Sequence, residues 1–208
     1  FKIKYEADGT IRFKVRLVSK GYRQIPGVDY TESYSPVVTD SGVHVQIAIT
    51  LWFHGHEQEL LQTDEKWVIE MFDTEAAFLN AEKGKRTTYI EIPKGMVELG
   101  LISSEEQKEF VYELLSSIYG NIDAPVLFNR KHTRILKEIG LVQCKSDPCM
   151  FYLRNERNQL VLMVSSHVDD SLVSGLKPHV DWLMKEYEKY LKIDRMGPMK
   201  KNLEVWNK

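Results

Sequence analysis

"SSHVDDSLVSG", residues 165–175, sets two adjacent carboxylates, Asp169 and Asp170, between apolar runs. Leu160-Val161-Leu162-Met163-Val164 precedes them and Leu172-Val173 follows. Short apolar, β-branched runs on either side of a polar joint predict a β-hairpin with the acidic pair at its tip. Two carboxylates placed there repel each other and lose solvation, so they call for a compensating cation. Successive strand residues face opposite ways, so neighbours can converge on one ligand only where the chain turns.

A third carboxylate stands at a second predicted strand end. "WVIEMFD", residues 67–73, closes on Asp73. A central sheet that pairs this strand with the hairpin would bring Asp73 within metal-bridging distance of Asp169. Hard oxygen ligands suit Mg²⁺, which takes one or two protein carboxylates and completes its shell with water and substrate phosphates. Two such ions clamp the attacking and leaving oxygens of a phosphoryl displacement.

The 208 residues are 43% hydrophobic and 28% charged, ordinary globular composition rather than disorder. No apolar run reaches the length of a membrane span and no signal peptide opens the chain, so no membrane partner is expected. The first residue is Phe1 rather than Met, so a piece of a longer polypeptide is expected. Cys144 and Cys149 are too few for a disulfide scaffold or a four-thiolate zinc site and read as reduced intracellular thiols. Net charge is −2, yet residues 1–24 hold seven basic against two acidic side chains, a local +5. A basic N-terminal element beside an acidic body suits a phosphate-rich ligand held near a metal; a solvated hairpin face is the alternative.

"FKIKYEADGTIRFKVRLVSKG" alternates apolar and basic residues around Asp8-Gly9, the pattern of a hairpin. In a regular strand Lys14, Arg16 and Lys20 would project from one face. Thr39-Asp40-Ser41 supplies N-cap candidates for a helix running to Trp52, and "EQELLQTDEK" reads as a polar connector. Helical periodicity covers residues 125–139 and again about 178–192, with hairpins between them. Strands and helices mix without strict alternation, so the class is α+β rather than doubly wound.

The blocks "RLVSKGYRQIPGVDYTESYSPVV", "FDTEAAFLN", "SIYG" followed by "AP", "KSDPCMFY" and "HVDD" occur in the order and spacing of one family. The chain resembles the reverse transcriptase domain of copia-type LTR retrotransposons, over about residues 12–175. The resemblance implies a polymerase right-hand fold, with fingers and palm and a mixed or antiparallel palm sheet carrying helices on one face. It assigns about 1–66 and 82–124 to fingers and 67–81 and 125–208 to palm; a thumb and an RNase H domain are not evident. The implied activity is RNA- or DNA-templated addition of deoxynucleotides to a primer 3′-hydroxyl, with two Mg²⁺ ions and Mn²⁺ as a substitute.

By the same resemblance Asp73 and Asp169 are ligands of both ions and Asp170 is the supporting carboxylate. Arg16 and Lys20 match the basic fingers strand that grips the triphosphate, with Lys14 as a further candidate. Phe78 matches the aromatic beneath the incoming sugar, which excludes a 2′-hydroxyl, and Tyr119-Gly120 the turn beside nucleotide and template. Implied partners are template with primer, deoxynucleoside triphosphates, and the integrase and RNase H of the same Pol polyprotein. The implied location is the cytoplasm or a retrotransposon particle.

Two departures stand out. His167 occupies the place where the family usually has Tyr, on the primer side of the hairpin. "NIDAPVLFN" places Asp123 where the family is polar or basic, next to template or nucleotide. A decayed or domesticated module that binds nucleic acid or a partner without chemistry is therefore the alternative. A metal phosphodiesterase built on the same Asp cluster would leave "RLVSKG" and "SIYG" unexplained.

Overall fold

The Leu160–Val164 run has no polar alternation because it is covered on both sides: Val161, Leu162, Met163 and Val164 are all buried. They lie in the middle of a sheet seen in a computed structural model, which describes residues 2–5, 10–14 and 16–199. In chain order the first elements are β1 (Lys2–Tyr5), β2 (Ile11–Lys14), α1 (Asp40–Phe53), α2 (Glu57–Leu61) and β3 (Trp67–Thr74). Then come β4 (Tyr89–Glu91), α3 (Lys94–Glu98), α4 (Ser104–Glu109), β5 (Val111–Glu113) and α5 (Ala124–Ile139). The chain continues through β6 (Val142–Gln143), β7 (Met150–Arg154), β8 (Leu160–His167), β9 (Asp170–Leu176), α6 (Lys177–Glu188) and β10 (Ile193–Pro198). Among the described residues no helix is long and apolar enough to cross a membrane.

Two compact units divide the chain: residues up to Tyr34 with Phe78–Leu127, and Ser35–Ala77 with the residues from Phe128 onward. Residues 35–66 pack in the second unit, and residues 78–81 and 125–127 in the first. The physical reason is α1, whose Val43 and Ile47 pack against buried Met71 and Leu172 of the sheet.

The second unit is built on six antiparallel strands in the order β10-β3-β9-β8-β7-β6. The α+β class holds. The expected placement of helices on one face does not. Met71 and Phe72 are neighbours on β3, so they point to opposite faces, and both are fully buried. Met71 faces α1, whereas Phe72 meets Tyr187 of α6 with ring centroids 5.2 Å apart. Helices thus cover both faces.

Polar side chains fix α1 to this sheet. Thr39 is its N-cap, accepting from the Gly42 N–H, and Asp147 in turn accepts from the Thr39 N–H and hydroxyl, each at 2.9 Å. The other Asp147 oxygen accepts from the Cys149 N–H at 2.9 Å, so "KSDPC" is a clamp between α1 and β7. Gly42 leaves room for it, since a Cβ there would stand 2.9 Å from the Asp147 carboxylate. Further in, buried Gln46 donates to the Leu172 carbonyl and the Ser174 hydroxyl, each at 3.1 Å.

Three local expectations change. The polar connector contains α2, and its Glu57 is buried because it accepts from the Trp67 and Gly55 N–H groups, each at 3.0 Å. The last helix stops at Glu188, and residues 193–198 form an edge strand beside β3 that the sequence did not suggest. In the first unit β1 and β2 pair antiparallel as expected, while their Asp8-Gly9 turn lies outside the described residues. Arg16 and Lys20 fall beyond β2 on irregular chain, so strand parity does not set their direction, and the Lys14 side chain lies outside the described ones.

Candidate active site

The β8–β9 ladder ends on the pair His167↔Asp170, leaving Val168 and Asp169 as a two-residue turn. Such turns need a positive φ at the first central residue, and Val168 supplies it at 58°. A β-branched residue pays about 1–3 kcal/mol for that conformation, and it persists only where its surroundings over-determine it. The surroundings here are ladders on both sides. On the other edge of β9, Asp73 of β3 stands directly opposite Asp170, and the Thr74 N–H donates to the Asp169 carbonyl at 2.9 Å.

Alternation then assigns faces. Asp73 is two residues from Met71 and Asp170 two from Leu172, so both carboxylates point to the α1 side of the sheet, as does His167 by its pairing. Directly opposed residues on one face of an antiparallel pair have Cβ atoms about 4.5–5.5 Å apart. Asp169 rides on the turn at the same end. All three carboxylates are half-buried and His167 is exposed.

The electrostatics carry the strain expected of such a group. Burial, and next the charge of Asp169, push the Asp170 carboxyl above the ordinary aspartate range, with His167 pulling the other way. Among the described residues no three His, Cys, Asp or Glu side chains form a ready-made metal cage. The donor set is oxygen-only and mutually repelling, which fits a hard divalent cation that brings its own water and phosphate ligands.

The first unit gathers a different set. The Arg16 guanidinium lies 5.0 Å from the Tyr119 ring centroid, and Phe78 meets the same ring edge-on at 5.1 Å. Arg16, Tyr119 and Phe78 are thus one cluster, with Arg16 exposed and Phe78 half-buried. Lys20 stands apart from that stack, lining a cavity of about 610 Å³ with Arg23, Lys94 and Asn121. The glycines of "SKG" and "YG" explain themselves by close approach. The Ser19 N–H donates to the Tyr119 carbonyl at 2.7 Å, and Gly120 takes φ 91°. A Cβ on Gly120 would strike the Ser19 carbonyl, and one on Gly21 would strike the Gly120 carbonyl. Asp123 is half-buried, and that burial raises its carboxyl above the usual range against the pull of its own N–H.

A family model described as reverse transcriptase (RNA-dependent DNA polymerase) matches residues 1–206. The chain belongs to that family. The Pol polyprotein of transposon RE1 from Arabidopsis thaliana is 30% identical over 181 residues, covering 86% of this chain. That of transposon RE2 from the same plant is 30% identical over 176 residues, and that of TNT 1-94 from Nicotiana tabacum 29% identical over 176, each covering 84% of this chain. All three are named retrovirus-related Pol polyproteins, so the copia-type resemblance carried by the motifs stands. This reverse transcriptase domain spans 11–12% of the length of these relatives. No solved structure matches it.

Sequence reasoning did not single out three buried side chains that hold the elements of this unit together. Asp147 holds α1 against the sheet; its place in "KSDPC" was the only signal. Glu57 anchors the start of β3 from a stretch that looked like solvated linker. His132, buried on α5, gave no signal at all beyond sitting on a helix.

Proposed function

We propose that this domain performs templated addition of deoxynucleotides to a primer 3′-hydroxyl, with Asp73, Asp169 and Asp170 as its metal-binding carboxylates. The observation that carries the reading is the register: Asp73 opposite Asp170, with Asp169 in a turn whose carbonyl is tied to β3. Adjacent carboxylates become a single site only through such a pairing.

Asp73 and Asp169 hold the divalent ions and Asp170 supports them. When bound, Mg²⁺ or Mn²⁺ supplies neutralisation of the triphosphate and a more acidic primer hydroxyl. The chain's own part is positioning. The three strands keep the carboxylates fixed before substrate arrives, so little reorganisation is needed as charge develops. Arg16 grips triphosphate oxygens, a task its forked guanidinium suits, and Tyr119 stacks beneath it to hold the group in place. Phe78, braced edge-on by Tyr119, lies under the sugar and excludes a 2′-hydroxyl. Lys20 supplies a second cation toward phosphate, and Gly120 lets the backbone turn close beside it. His167 lies on the primer side. Template with primer and deoxynucleoside triphosphates are the substrates, and the remaining Pol segments, RNase H and integrase, are the covalent partners. The first unit is the fingers and the second the palm.

Primer extension on an RNA template with Mg²⁺ or Mn²⁺ tests the reading, run beside an Asp169→Asn control. Extension that the control lacks supports it. Primer–template retention in a gel shift with no extension by either form favours a binding module instead.

A further inference from the structure

Beneath the hairpin, on the sheet face opposite the carboxylates, lies a polar cluster to which the proposed chemistry gives no task. Ser166↔Ser171 is the ladder pair next to His167↔Asp170, so its side chains point away from the carboxylate face. Both serines are buried. His132 of α5 reaches them, with Nε2 2.7 Å from the Ser166 hydroxyl, which is itself 3.5 Å from that of Ser171. Its Nδ1 lies 2.7 Å from the phenol of Tyr187 on α6. Burial lowers the imidazole pKa to about 4, so the ring is neutral near pH 7. A neutral imidazole has one N–H and one acceptor nitrogen, and here each has a hydroxyl partner.

A buried polar chain of this kind is harder to satisfy than an apolar filling of the same volume, as Phe128 and Phe151 beside it illustrate. What it adds is direction. An apolar contact tolerates a strand sliding by a fraction of an ångström, whereas a hydrogen bond from a ring held at both nitrogens fixes one oxygen. The hairpin needs that constraint, because Val168 carries φ 58° and relaxes unless its flanks are held. Ser166 is the flank held most fully: its N–H donates to the Cys149 carbonyl at 3.0 Å and its carbonyl accepts from the Val38 N–H at 3.1 Å.

We propose that His132 is a positioning residue, which through Ser166 fixes the turn presenting Asp169 and Asp170, with Tyr187 holding the ring from behind. It touches neither substrate nor ion. The catalytic consequence rests on the polymerase reading; the coupling between His132 and the turn does not.

The variants His132→Phe, Ser166→Ala and Tyr187→Phe, and the His132→Phe/Ser166→Ala double, separate positioning from packing. Three readouts apply: amide exchange at residues 166–171, Mn²⁺ affinity by calorimetry, and kcat and KM for deoxynucleotide. His132→Phe is expected to speed exchange at the turn selectively and to weaken Mn²⁺ binding and kcat by about 10- to 100-fold, the range for partners that orient ligating groups. KM stays near the wild-type value. Ser166→Ala reproduces the effect and the double variant is no worse than the worse single, because both break one link. Wild-type exchange and Mn²⁺ affinity in His132→Phe overturn the proposal, as does faster exchange spread evenly over the whole unit. Should His132→Phe not fold, Ser166→Ala, which loses one oxygen, decides on the same readouts. If the wild-type domain extends no primer, the polymerase reading fails, and exchange at the turn still decides the coupling.

Discussion

Compare the carboxylate end of the sheet with the basic segment of the first unit. Asp73 and Asp170 sit in register on adjacent strands, and Asp169 is tied by its own carbonyl. Arg16 and Lys20 lie outside regular structure, on a segment joined to Tyr119 by the isolated backbone pairing at Val18-Ser19 and by the Arg16 guanidinium on its ring. Both sets are charged, but the tasks proposed for them differ. Like-charged carboxylates fly apart unless the backbone imposes their spacing, so they require a ladder. A cation meeting a mobile phosphate gains from a long side chain that adapts, and an exposed loop suffices. The difference teaches where pre-organisation is built in and where the ligand supplies it.

The strongest way to break this contrast is to remove a ladder-borne charge. Asp73→Asn or Asp169→Asn should lower primer extension by at least about a thousandfold, the equivalent of several kcal/mol of lost ion stabilisation, with melting temperature unchanged or higher. Near-normal extension by purified Asp169→Asn would sink the assignment. Asp170→Asn should be milder in activity. It should also raise stability at pH 7, because a carboxyl whose folded pKa is raised destabilises the fold once both states have ionised. That gain should vanish as pH falls below the unfolded pKa, which urea denaturation of the two proteins across pH would reveal.

On the loop-borne side the effects should be smaller and confined to substrate. Phe78→Val should narrow the dNTP-to-rNTP ratio of kcat/KM by about 10- to 100-fold while deoxynucleotide addition persists. If Phe78 is packing alone, the melting temperature falls and the ratio holds. Arg16→Ala should raise KM for deoxynucleotide by about tenfold, the worth of a charge-assisted hydrogen bond, and leave primer–template affinity nearly unchanged. An equal loss in both would place Arg16 on nucleic acid rather than on the triphosphate.

Glu57 sharpens the ladder side of the comparison with the smallest effect on chemistry. It accepts the Trp67 N–H at the start of β3, the strand that carries Asp73 near its far end. Burial raises its carboxyl, but the N–H groups of Trp67, Glu57 and Gly55, with Lys66 at 3.7 Å, overrule this and bring it down to about 2. Glu57→Gln should therefore cost about 1–3 kcal/mol at pH 7, near the penalty for an unsatisfied buried donor. A depressed folded pKa stabilises above the unfolded value of about 4.5 and loses that contribution as pH falls toward 2, so the two proteins should converge in acid. A gap that persists at pH 2 would mean that Gln disrupts packing rather than charge.

Much of the fold was legible in the chain. The Thr39 cap, the strand closing on Asp73, the hairpin around Asp169-Asp170 and the helix ending before Gly140 each follow from local pattern, because period, caps and turns act over a few residues. The motifs likewise gave the family, and by resemblance the carboxylates proposed here as metal ligands. What they could not give was any quantity set by pairing between distant segments. Whether Asp73 faces Asp170 or points away depends on a single-residue choice of register, and a slip of one would send it to the other face. That register is fixed by Met71 and Phe72 finding separate helical covers, α1 and α6, from opposite ends of the unit's sequence. Glu57, His132 and Asp147 read as solvated side chains in one dimension. Only the tertiary structure, which supplies the N–H and hydroxyl partners that make their burial tolerable, turned them into anchors.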